Sequence, residues 1–268
     1  MCIAREHAGE VVNCDSLQVY RGFNIGTAKL GMEDRQGIPH HLLDILEPDE
    51  IFSAGEYARR GRLTLQAIAS RGALPVVVGG TGFYLRALLD GLFEGPARDE
   101  GLRLRLAARE ERRPGSLHKI LGRFDARAAG RIHRRDTQKL IRALEVCLLS
   151  RKPLSDMFAS GRAPIEGFGV LKLGIHPERG ALYRRLEERC RRMFAGGLID
   201  EVRDILSRGC PETAKPFESL GYKQALRHLR GEMTLAEAVA ETQRNTRRYA
   251  KRQWTWFRSL SECRFVPA

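Results

Sequence analysis

Residues 11–29 (VVNCDSLQVYRGFNIGTAK) begin with a short run of β-branched residues and continue as a segment rich in polar residues and glycine. Residues 10–14 are typical of a buried strand, and Asp15 comes directly after its carboxyl end. Ligands of open α/β sheets bind outside the carboxyl ends of the strands, so a carboxylate there could act on a substrate. Asp15 could equally cap the turn that follows. The polar side chains close behind it are Ser16, Gln18, Tyr20, Thr27 and Lys29.

A glycine turn, GGTG at residues 79–82, follows a second strand pattern (LPVVV, residues 74–78) and precedes an apolar-periodic helix. Strand, glycine turn and helix in this order are typical of a parallel sheet. Backbone amides in such a turn suit an anionic group, and the Thr81 hydroxyl can donate to one or ligate a metal ion. Turns of this kind are also common as purely structural features. Thr81 and Asp15 are expected at the same edge of the sheet.

The net charge of +13 is concentrated in two places. Residues 103–142 contain 13 Lys and Arg against 4 Asp and Glu, and residues 244–258 contain 6 Lys and Arg and no acid. Such concentration is typical of a protein that binds a polyanion, nucleic acid above all. Two solvated helix faces would produce the same pattern.

The six cysteines are scattered without a C-x-x-C pair, which argues against a disulfide framework and a thiolate zinc site. No apolar run approaches the roughly 18 residues of a membrane helix, and no secretory leader is recognisable. We therefore expect a chain of the reducing cytoplasm that does not enter a membrane. The adjacent His40 and His41 would point to opposite faces of a strand, so we expect them to be structural and not metal ligands.

Alternating strand and helix patterns predict an α/β fold with a parallel sheet flanked by helices. From about residue 95 the pattern is helical and basic, so we expect residues 95–140 to form a helical insertion. The core is then formed by residues 1–94 and 141–268, and its last third is helical, with a capping-box pattern at Thr234 and Glu237. The strands are expected at residues 10–14, 40–46, 74–78 and 170–175, and helices at residues 52–68 and 138–149.

Several ordered motifs together resemble the tRNA dimethylallyltransferases, and the resemblance runs over nearly the whole chain. The motifs are CDSLQVYRGFNIGTAK, PHHLLD, FSAGEYA, VVVGGTGFYLRALLDGL, DTQKLIRALEV, LGYKQ and KRQWTWFR. The resemblance implies a P-loop-NTPase-like parallel sheet with a tRNA-binding helical insertion. It also implies transfer of a dimethylallyl group from dimethylallyl diphosphate to N6 of the anticodon-loop adenine on the 3′ side of the anticodon.

The resemblance implies roles for individual residues. Asp15 would accept a proton from the attacking amine or orient it, Thr81 would contact the substrate near the reacting centre, and either could ligate a metal ion. Ser16, Leu17 and Gln18 match the segment that holds the target adenine. The implied tRNA-binding positions also include Arg103, Gln138, Lys139, Leu140, Ile141, Arg142 and Lys223. The implied diphosphate-binding positions are Lys29, Thr81 and Arg189.

Departure of diphosphate from an allylic carbon calls for amide donors, cations and Mg²⁺. In the family that the chain resembles, a loop of the form G-x-x-x-x-G-K-[ST] supplies them. The sequence contains no such segment. We therefore expect that the first strand, this loop and most of the first helix are missing from the sequence, with a cost to diphosphate binding, metal binding and core stability.

The partners that the resemblance implies are the tRNA anticodon stem-loop, dimethylallyl diphosphate and Mg²⁺, and we expect a monomer. Two other functions stay open. An enzyme that prenylates free adenine nucleotides would not need the concentrated basic windows. A catalytically inactive RNA-binding remnant would fit the absence of the loop but not the intact Asp15 and GGTG turn.

Overall fold

The computed structural model describes residues 1–93, 95–159 and 161–267, and the chain divides into two units. The core unit consists of Met1–Leu89 and Ile165–Ala268. The insertion unit consists of Asp90–Pro164. Both boundaries differ from the expected ones, most clearly the second, because residues 141–164 belong to the insertion unit and not to the core.

The helices and strands follow one another along the chain in three groups. The first group contains α1 (Cys2–Glu6), β1 (Gly9–Asn13), β2 (His40–His41), α2 (Ala54–Ser70), β3 (Leu74–Val78) and α3 (Gly82–Asp90). The second contains α4 (Glu100–Arg112), α5 (Ser116–Phe124), α6 (Ala126–Arg131), α7 (Thr137–Ser150) and α8 (Leu154–Ala159). The third contains β4 (Lys172–His176), α9 (Arg179–Ala195), α10 (Leu198–Ser207), α11 (Tyr222–Leu229), α12 (Leu235–Arg258) and β5 (Cys263–Pro267). A helix with the length and apolar character needed to span a bilayer is not found among the described residues.

Strand β1 lies between β2 and β3 in a three-stranded parallel sheet. Val11 and Val12 are buried although they point to opposite faces, as expected of a central strand covered on both sides. The register pairs Asn13 with Val78, so the carboxyl ends of β1 and β3 are level. The strands predicted at residues 10–14 and 74–78 are confirmed.

The strand expected at residues 40–46 is reduced to the two residues of β2. Leu42 and Asp44 have φ of 59° and 54°, in the left-handed region, so the backbone cannot remain extended after His41. An isolated parallel bridge between Tyr20 and Leu46 follows at the end of this segment.

Strands β4 and β5 form a separate two-stranded parallel sheet. Helix α12 packs on this sheet through Trp254, which stacks on His176 with ring centroids 4.1 Å apart and meets Phe265 edge-on at 5.0 Å. β4 corresponds to the strand predicted at residues 170–175. β5 has no counterpart among the predicted strands.

Apolar side chains are exposed on both sheets of the core unit. They include Val78 of β3, which is 51% exposed, and Ile175 of β4, which is 68% exposed. Central strands of α/β sheets normally bury such side chains. The expectation of a further strand in the sheet stays a prediction.

Helix α2 is joined to the carboxyl end of β1 by an aromatic side chain. The Tyr57 hydroxyl donates to the Asn13 carbonyl at 3.0 Å, and the Tyr57 ring stacks on Tyr84 of α3 with centroids 4.3 Å apart. The helix begins after Ser53, whose side chain accepts the Glu56 N–H. These contacts hold α2 and α3 at the edge where β1 ends.

The insertion unit has its own apolar core, and α7 supplies one side of it. Leu140 and Leu144 of α7 are completely buried against α4 and α5. Residues 141–150 therefore belong with the insertion, since their apolar face is covered there. The largest buried side chains of this core are Leu106, Leu117, Leu121, Leu140, Ile141, Leu144 and Leu154.

A buried carboxylate joins α4 to α7. The Glu145 side chain is fully buried and accepts hydrogen bonds from Arg103 at 2.8 and 3.0 Å, from Arg142 at 2.6 Å and from the Asp99 N–H at 2.9 Å. Burial opposes ionisation of this carboxyl, but the hydrogen bonds from both arginines outweigh it and lower the pKa of Glu145 to about 2. The charged form is thus the one that the fold requires.

We expect Glu145→Gln to lower the free energy of unfolding by about 3–5 kcal/mol, because it leaves two guanidinium groups facing a neutral partner. Since the pKa is lowered in the folded state, the contribution is complete above the unfolded value of 4.5 and is lost as the pH falls towards about 2. Urea denaturation of wild type and variant at several pH values measures both effects.

The matched control is Glu111→Gln, which changes an exposed carboxylate of α4. Its effect is expected to be within about 0.5 kcal/mol of zero. A stability difference between wild type and Glu145→Gln that stays constant from neutral pH to pH 3 would contradict the assigned ion pairs.

Candidate active site

Two backbone loops meet at the carboxyl ends of β1 and β3. The Cys14 N–H donates to the Val78 carbonyl at 2.7 Å, and the Thr81 N–H donates to the Cys14 carbonyl at 3.1 Å. A Cβ atom on Gly79 would lie 2.2 Å from the Cys14 carbonyl oxygen, so this approach requires glycine. Asp15 and the GGTG turn therefore adjoin each other at one edge of the sheet.

The Thr81 hydroxyl links the glycine turn to the loop after β1. Its Oγ1 accepts the Ser16 N–H at 3.0 Å and donates to the Ser16 hydroxyl at 3.3 Å. The Thr81 carbonyl also accepts the Tyr84 N–H, which begins α3. Thr81 thus fixes the backbone immediately after Asp15.

Asp15 uses one carboxylate oxygen to hold the turn. Oδ1 accepts the N–H groups of Leu17 at 2.8 Å and Gln18 at 3.4 Å, so the capping role considered from the sequence is confirmed. Within the part of the chain that the structure describes, Oδ2 accepts no hydrogen bond. The half-buried carboxylate therefore has a fixed orientation and an oxygen available to a substrate.

Two predicted site residues meet at the Thr27 carbonyl. The Gln18 Nε2 donates to it at 3.1 Å, and the Arg189 guanidinium of α9 lies at 3.5 Å. The second contact is at the limit of a hydrogen bond and is weak. Thr27 itself is held by its hydroxyl, which donates to the Phe23 carbonyl at 2.7 Å.

Two side chains of α12 that were not among the predicted site residues also adjoin this edge. The Gln253 Nε2 donates to the Gly80 carbonyl at 2.9 Å. Partial burial, and then the charge of Asp15, raise the pKa of Tyr249, which also hydrogen-bonds to Gln253. Their spacing of four residues was visible in the sequence. The pattern of α12 does not say which part of the sheet that face contacts.

A family model described as IPP transferase matches residues 18–260 of the chain. The chain belongs to the IPP transferase family. It is 62% identical over 262 residues to the tRNA dimethylallyltransferase of Solibacter usitatus, a match that covers 98% of this chain and 85% of the relative. It is 52% identical over 267 residues to the tRNA dimethylallyltransferase of Koribacter versatilis, with coverage of 99% and 87%.

Solved structures confirm the fold class for this IPP transferase family member. The full-length tRNA isopentenylpyrophosphate transferase from Bacillus halodurans has a TM-score of 0.71 at 37% identity and covers 99% of this chain and 84% of its own. A eukaryotic dimethylallyltransferase described as acting on tRNA has a TM-score of 0.85 at 24% identity, with coverage of 99% and 69%, and shows the fold alone. The expected α/β, P-loop-NTPase-like architecture is therefore confirmed.

Four of the implied tRNA-binding residues have structural contacts in the insertion unit. Arg103 and Arg142 are bound to Glu145, as described above. Leu140 and Ile141 are buried in the apolar core. Any contact of these four residues with tRNA stays a prediction.

The other implied tRNA-binding residues outside the adenine segment are exposed. Gln138 and Lys139 lie on the first turn of α7, and the Lys139 side chain is 71% exposed although it pairs with Asp136 at 2.6 Å. Lys223 is exposed on α11. These three side chains are open to a partner, and their role also stays a prediction.

The oxygen donors at the sheet edge suit a metal ion that arrives with a phosphate. Among the described residues, no group of three or more His, Cys, Asp or Glu side chains could hold a metal ion. Mg²⁺ is usually held by one or two carboxylates together with substrate phosphates. The Asp15 carboxylate and the Thr81 hydroxyl fit this mode of binding.

Lys29 has a different environment from the one expected of a diphosphate ligand. Its ammonium donates to Asp44 at 2.6 Å and to the Tyr20 carbonyl at 2.7 Å, and the side chain is 3% exposed. Burial lowers the pKa of Lys29, while Asp44 opposes this shift. These contacts connect the loop after β1 with the segment after β2, and binding of diphosphate by Lys29 stays a prediction.

We expect Lys29→Met to lower the free energy of unfolding by about 1–3 kcal/mol, because it leaves a buried carbonyl and a carboxylate without their donor. Urea denaturation measures this loss, and Lys215→Met, at an exposed lysine of the same unit, is the control. If Lys29→Met matched the control in stability, the ammonium would not hold the loop as described.

Proposed function

We propose that this member of the IPP transferase family transfers a dimethylallyl group from dimethylallyl diphosphate to N6 of the adenine on the 3′ side of the anticodon in tRNA. The relatives that are 62% and 52% identical are named tRNA dimethylallyltransferases and match nearly the whole chain. The observation that carries the assignment is Asp15, whose Oδ1 is held by the turn while Oδ2 is available.

The Asp15 carboxylate can serve the attacking amine. As N6 bonds to the allylic carbon, the carbon–oxygen bond to the diphosphate breaks and its electron pair leaves with the diphosphate. The amine then loses a proton, and Oδ2 of Asp15 can accept it. The N–H groups of Leu17 and Gln18 keep the carboxylate in one orientation for this transfer.

Recognition of the adenine would fall to the segment after Asp15. An anticodon-loop base must leave its stack to reach a site at a sheet edge. Because the Gln18 nitrogen is bound to the Thr27 carbonyl, its amide oxygen is the atom that can accept from an adenine amino group. The turn that orients Asp15 therefore also orients Gln18.

The leaving diphosphate needs positive charge and hydrogen-bond donors. Arg189 offers an exposed guanidinium whose 3.5 Å contact with Thr27 is weak enough to exchange for a phosphate. To bind the diphosphate, Lys29 would have to give up its contacts with Asp44 and the Tyr20 carbonyl. Arg189 is therefore the stronger candidate for a diphosphate ligand. Mg²⁺, held by Asp15 or Thr81 with the diphosphate, would neutralise charge on the leaving oxygens.

We expect Asp15→Asn to reduce the turnover by about 10²- to 10⁴-fold, because the amide cannot accept the proton. The affinity for tRNA should stay near that of wild type, since the asparagine oxygen still accepts the N–H groups of Leu17 and Gln18. Transfer of label from dimethylallyl diphosphate to an anticodon stem-loop, with filter binding of the same RNA, measures both quantities.

Asp49→Asn, at an exposed carboxylate of the same unit, is the control for Asp15→Asn and should transfer like wild type. Unchanged turnover in Asp15→Asn, or an equal loss of RNA binding, would contradict the proposed role. RNA binding by wild type without any transfer would favour the inactive remnant instead. Transfer to AMP in preference to RNA would favour an adenine-nucleotide prenyltransferase.

We expect Lys139→Gln to weaken tRNA binding, because it removes an exposed cation from the implied tRNA segment. The slope of log affinity against log salt should fall in magnitude by about 0.7–0.9, the value of one phosphate contact. Lys119→Gln, at an exposed lysine of α5, removes the same charge elsewhere in the insertion unit. Equal slopes for the two variants would count against a contact at Lys139.

A further inference from the structure

The face of α12 that meets the candidate active site carries two side chains packed directly on the glycine turn. The Gln253 Nε2 donates to the Gly80 carbonyl at 2.9 Å. A Cβ atom on Gly82 would lie 2.4 Å from the Trp256 ring, so the indole lies against the backbone where α3 begins. Residues three positions apart lie on one face of a helix. Helix α12 therefore covers the turn that carries Thr81.

Contact with α12 accounts for glycine at two positions of the turn. Neither Gly80 nor Gly82 adopts the left-handed backbone that favours glycine. A Cβ atom on Gly80 would lie 2.1 Å from the Gln253 Nε2, and one on Gly82 would overlap the Trp256 ring. The close approach of the helix therefore requires these two glycines, whereas the conformation of the turn does not.

We propose that Gln253 is a positioning residue for the transfer reaction. By holding the Gly80 carbonyl it fixes the turn, and through Thr81 it fixes the backbone at Asp15. This inference rests on the proposed function, because it takes Asp15 as the group that serves the attacking amine. Gln253 does not have to touch either substrate to act in this way.

One peptide unit of the turn is held on both of its sides. Its Gly80 carbonyl accepts from Gln253 at 2.9 Å. Its N–H, that of Thr81, donates to the Cys14 carbonyl at 3.1 Å. Because a peptide unit is planar, these two bonds fix its orientation. The hydroxyl of the same threonine accepts the Ser16 N–H at 3.0 Å, so this orientation is passed to the backbone beside the proposed proton acceptor.

The helix that carries Gln253 is anchored independently of the turn. The adjacent Trp254 stacks on His176 of β4 with ring centroids 4.1 Å apart. Tyr249, one helical turn earlier, hydrogen-bonds to Gln253. The Gln253 amide is therefore held from its own helix and can define the position of the turn.

Gln253→Met removes the donor and keeps nearly the length of the side chain. The turnover with dimethylallyl diphosphate and an anticodon stem-loop should fall by about 5- to 10-fold, the effect of one lost hydrogen bond. The KM for both substrates should stay within about twofold of wild type, because a residue that only positions the reacting groups acts on the turnover. In hydrogen exchange followed by NMR, the amides of Thr81 and Ser16 should exchange about 5- to 10-fold faster.

The matched control is Gln243→Met. Gln243 is a half-buried glutamine of the same helix, and its Nε2 donates to the Glu187 carbonyl of α9 at 3.2 Å. This variant should keep the wild-type turnover and the wild-type exchange rates of the turn. Equal losses of turnover in the two variants would overturn the proposal. So would a raised KM for dimethylallyl diphosphate with unchanged turnover, which would make Gln253 a ligand of the diphosphate.

Gly80→Ala tests the same contact without a change to Gln253, because the added Cβ atom displaces the flexible end of the glutamine side chain. Its loss of turnover should match that of Gln253→Met. The double variant should lose no more than either single variant, since both remove one interaction. Losses that multiply in the double variant would overturn the proposal. Gly80→Ala also serves if Gln253→Met does not fold.

Failure of the positioning role and failure of the proposed function give different results. Hydrogen exchange is measured without prenyl transfer, so a wild-type chain that transfers nothing still tests whether Gln253 holds the turn. Faster exchange of Thr81 and Ser16 in Gln253→Met, and not in Gln243→Met, would then support the contact while the enzymatic proposal fails. Unchanged exchange rates would overturn the positioning role whether or not the wild type is active.

Discussion

The organisation of the site depends on the close approach of two backbone loops at the carboxyl ends of β1 and β3. The Cys14 carbonyl accepts the Thr81 N–H, and the approach is possible because Gly79 has no Cβ atom. The Thr81 hydroxyl also accepts the N–H of Ser16. Thr81 therefore binds the residue before Asp15 and the residue after it, and this fixes the backbone of Asp15. A carboxylate on an otherwise irregular loop thereby gains the rigidity that orientation of a reacting amine requires.

The loop that carries these residues is held from outside by helices near the other end of the chain. Phe23 is fully buried between Phe217 and Tyr222, with ring centroids 5.3 and 4.7 Å away. The Glu201 carboxylate of α10 accepts the Ile25 N–H at 2.8 Å. A segment without regular structure cannot satisfy its own backbone groups, so these long-range contacts replace a strand or helix ladder.

Sequence patterns within single segments were sufficient to predict several helices and strands. β1, β3 and α2 follow from apolar runs, periodicity and caps, and the box at Thr234 and Glu237 is present as expected. The strand at residues 40–46 was not maintained because Leu42 and Asp44 adopt positive φ, which the apolar pattern does not reveal. The insertion unit extends to Pro164, which the sequence pattern does not reveal because an amphipathic α7 does not specify which unit covers its apolar face.

Local sequence patterns also do not reveal which charged side chains are available to a partner. A lysine or arginine adds to a polyanion-binding surface only where its own protein has not already neutralised it, and partners distant in sequence decide this. Lys29 is paired with Asp44, while Arg103 and Arg142 share Glu145, so carboxylates of the protein already compensate part of the charge of these cations. The basic windows of the sequence therefore overstate the number of available cations. Arg248 and Lys251 of α12 differ, because within the described parts of the chain their exposed side chains form no ion pair or hydrogen bond.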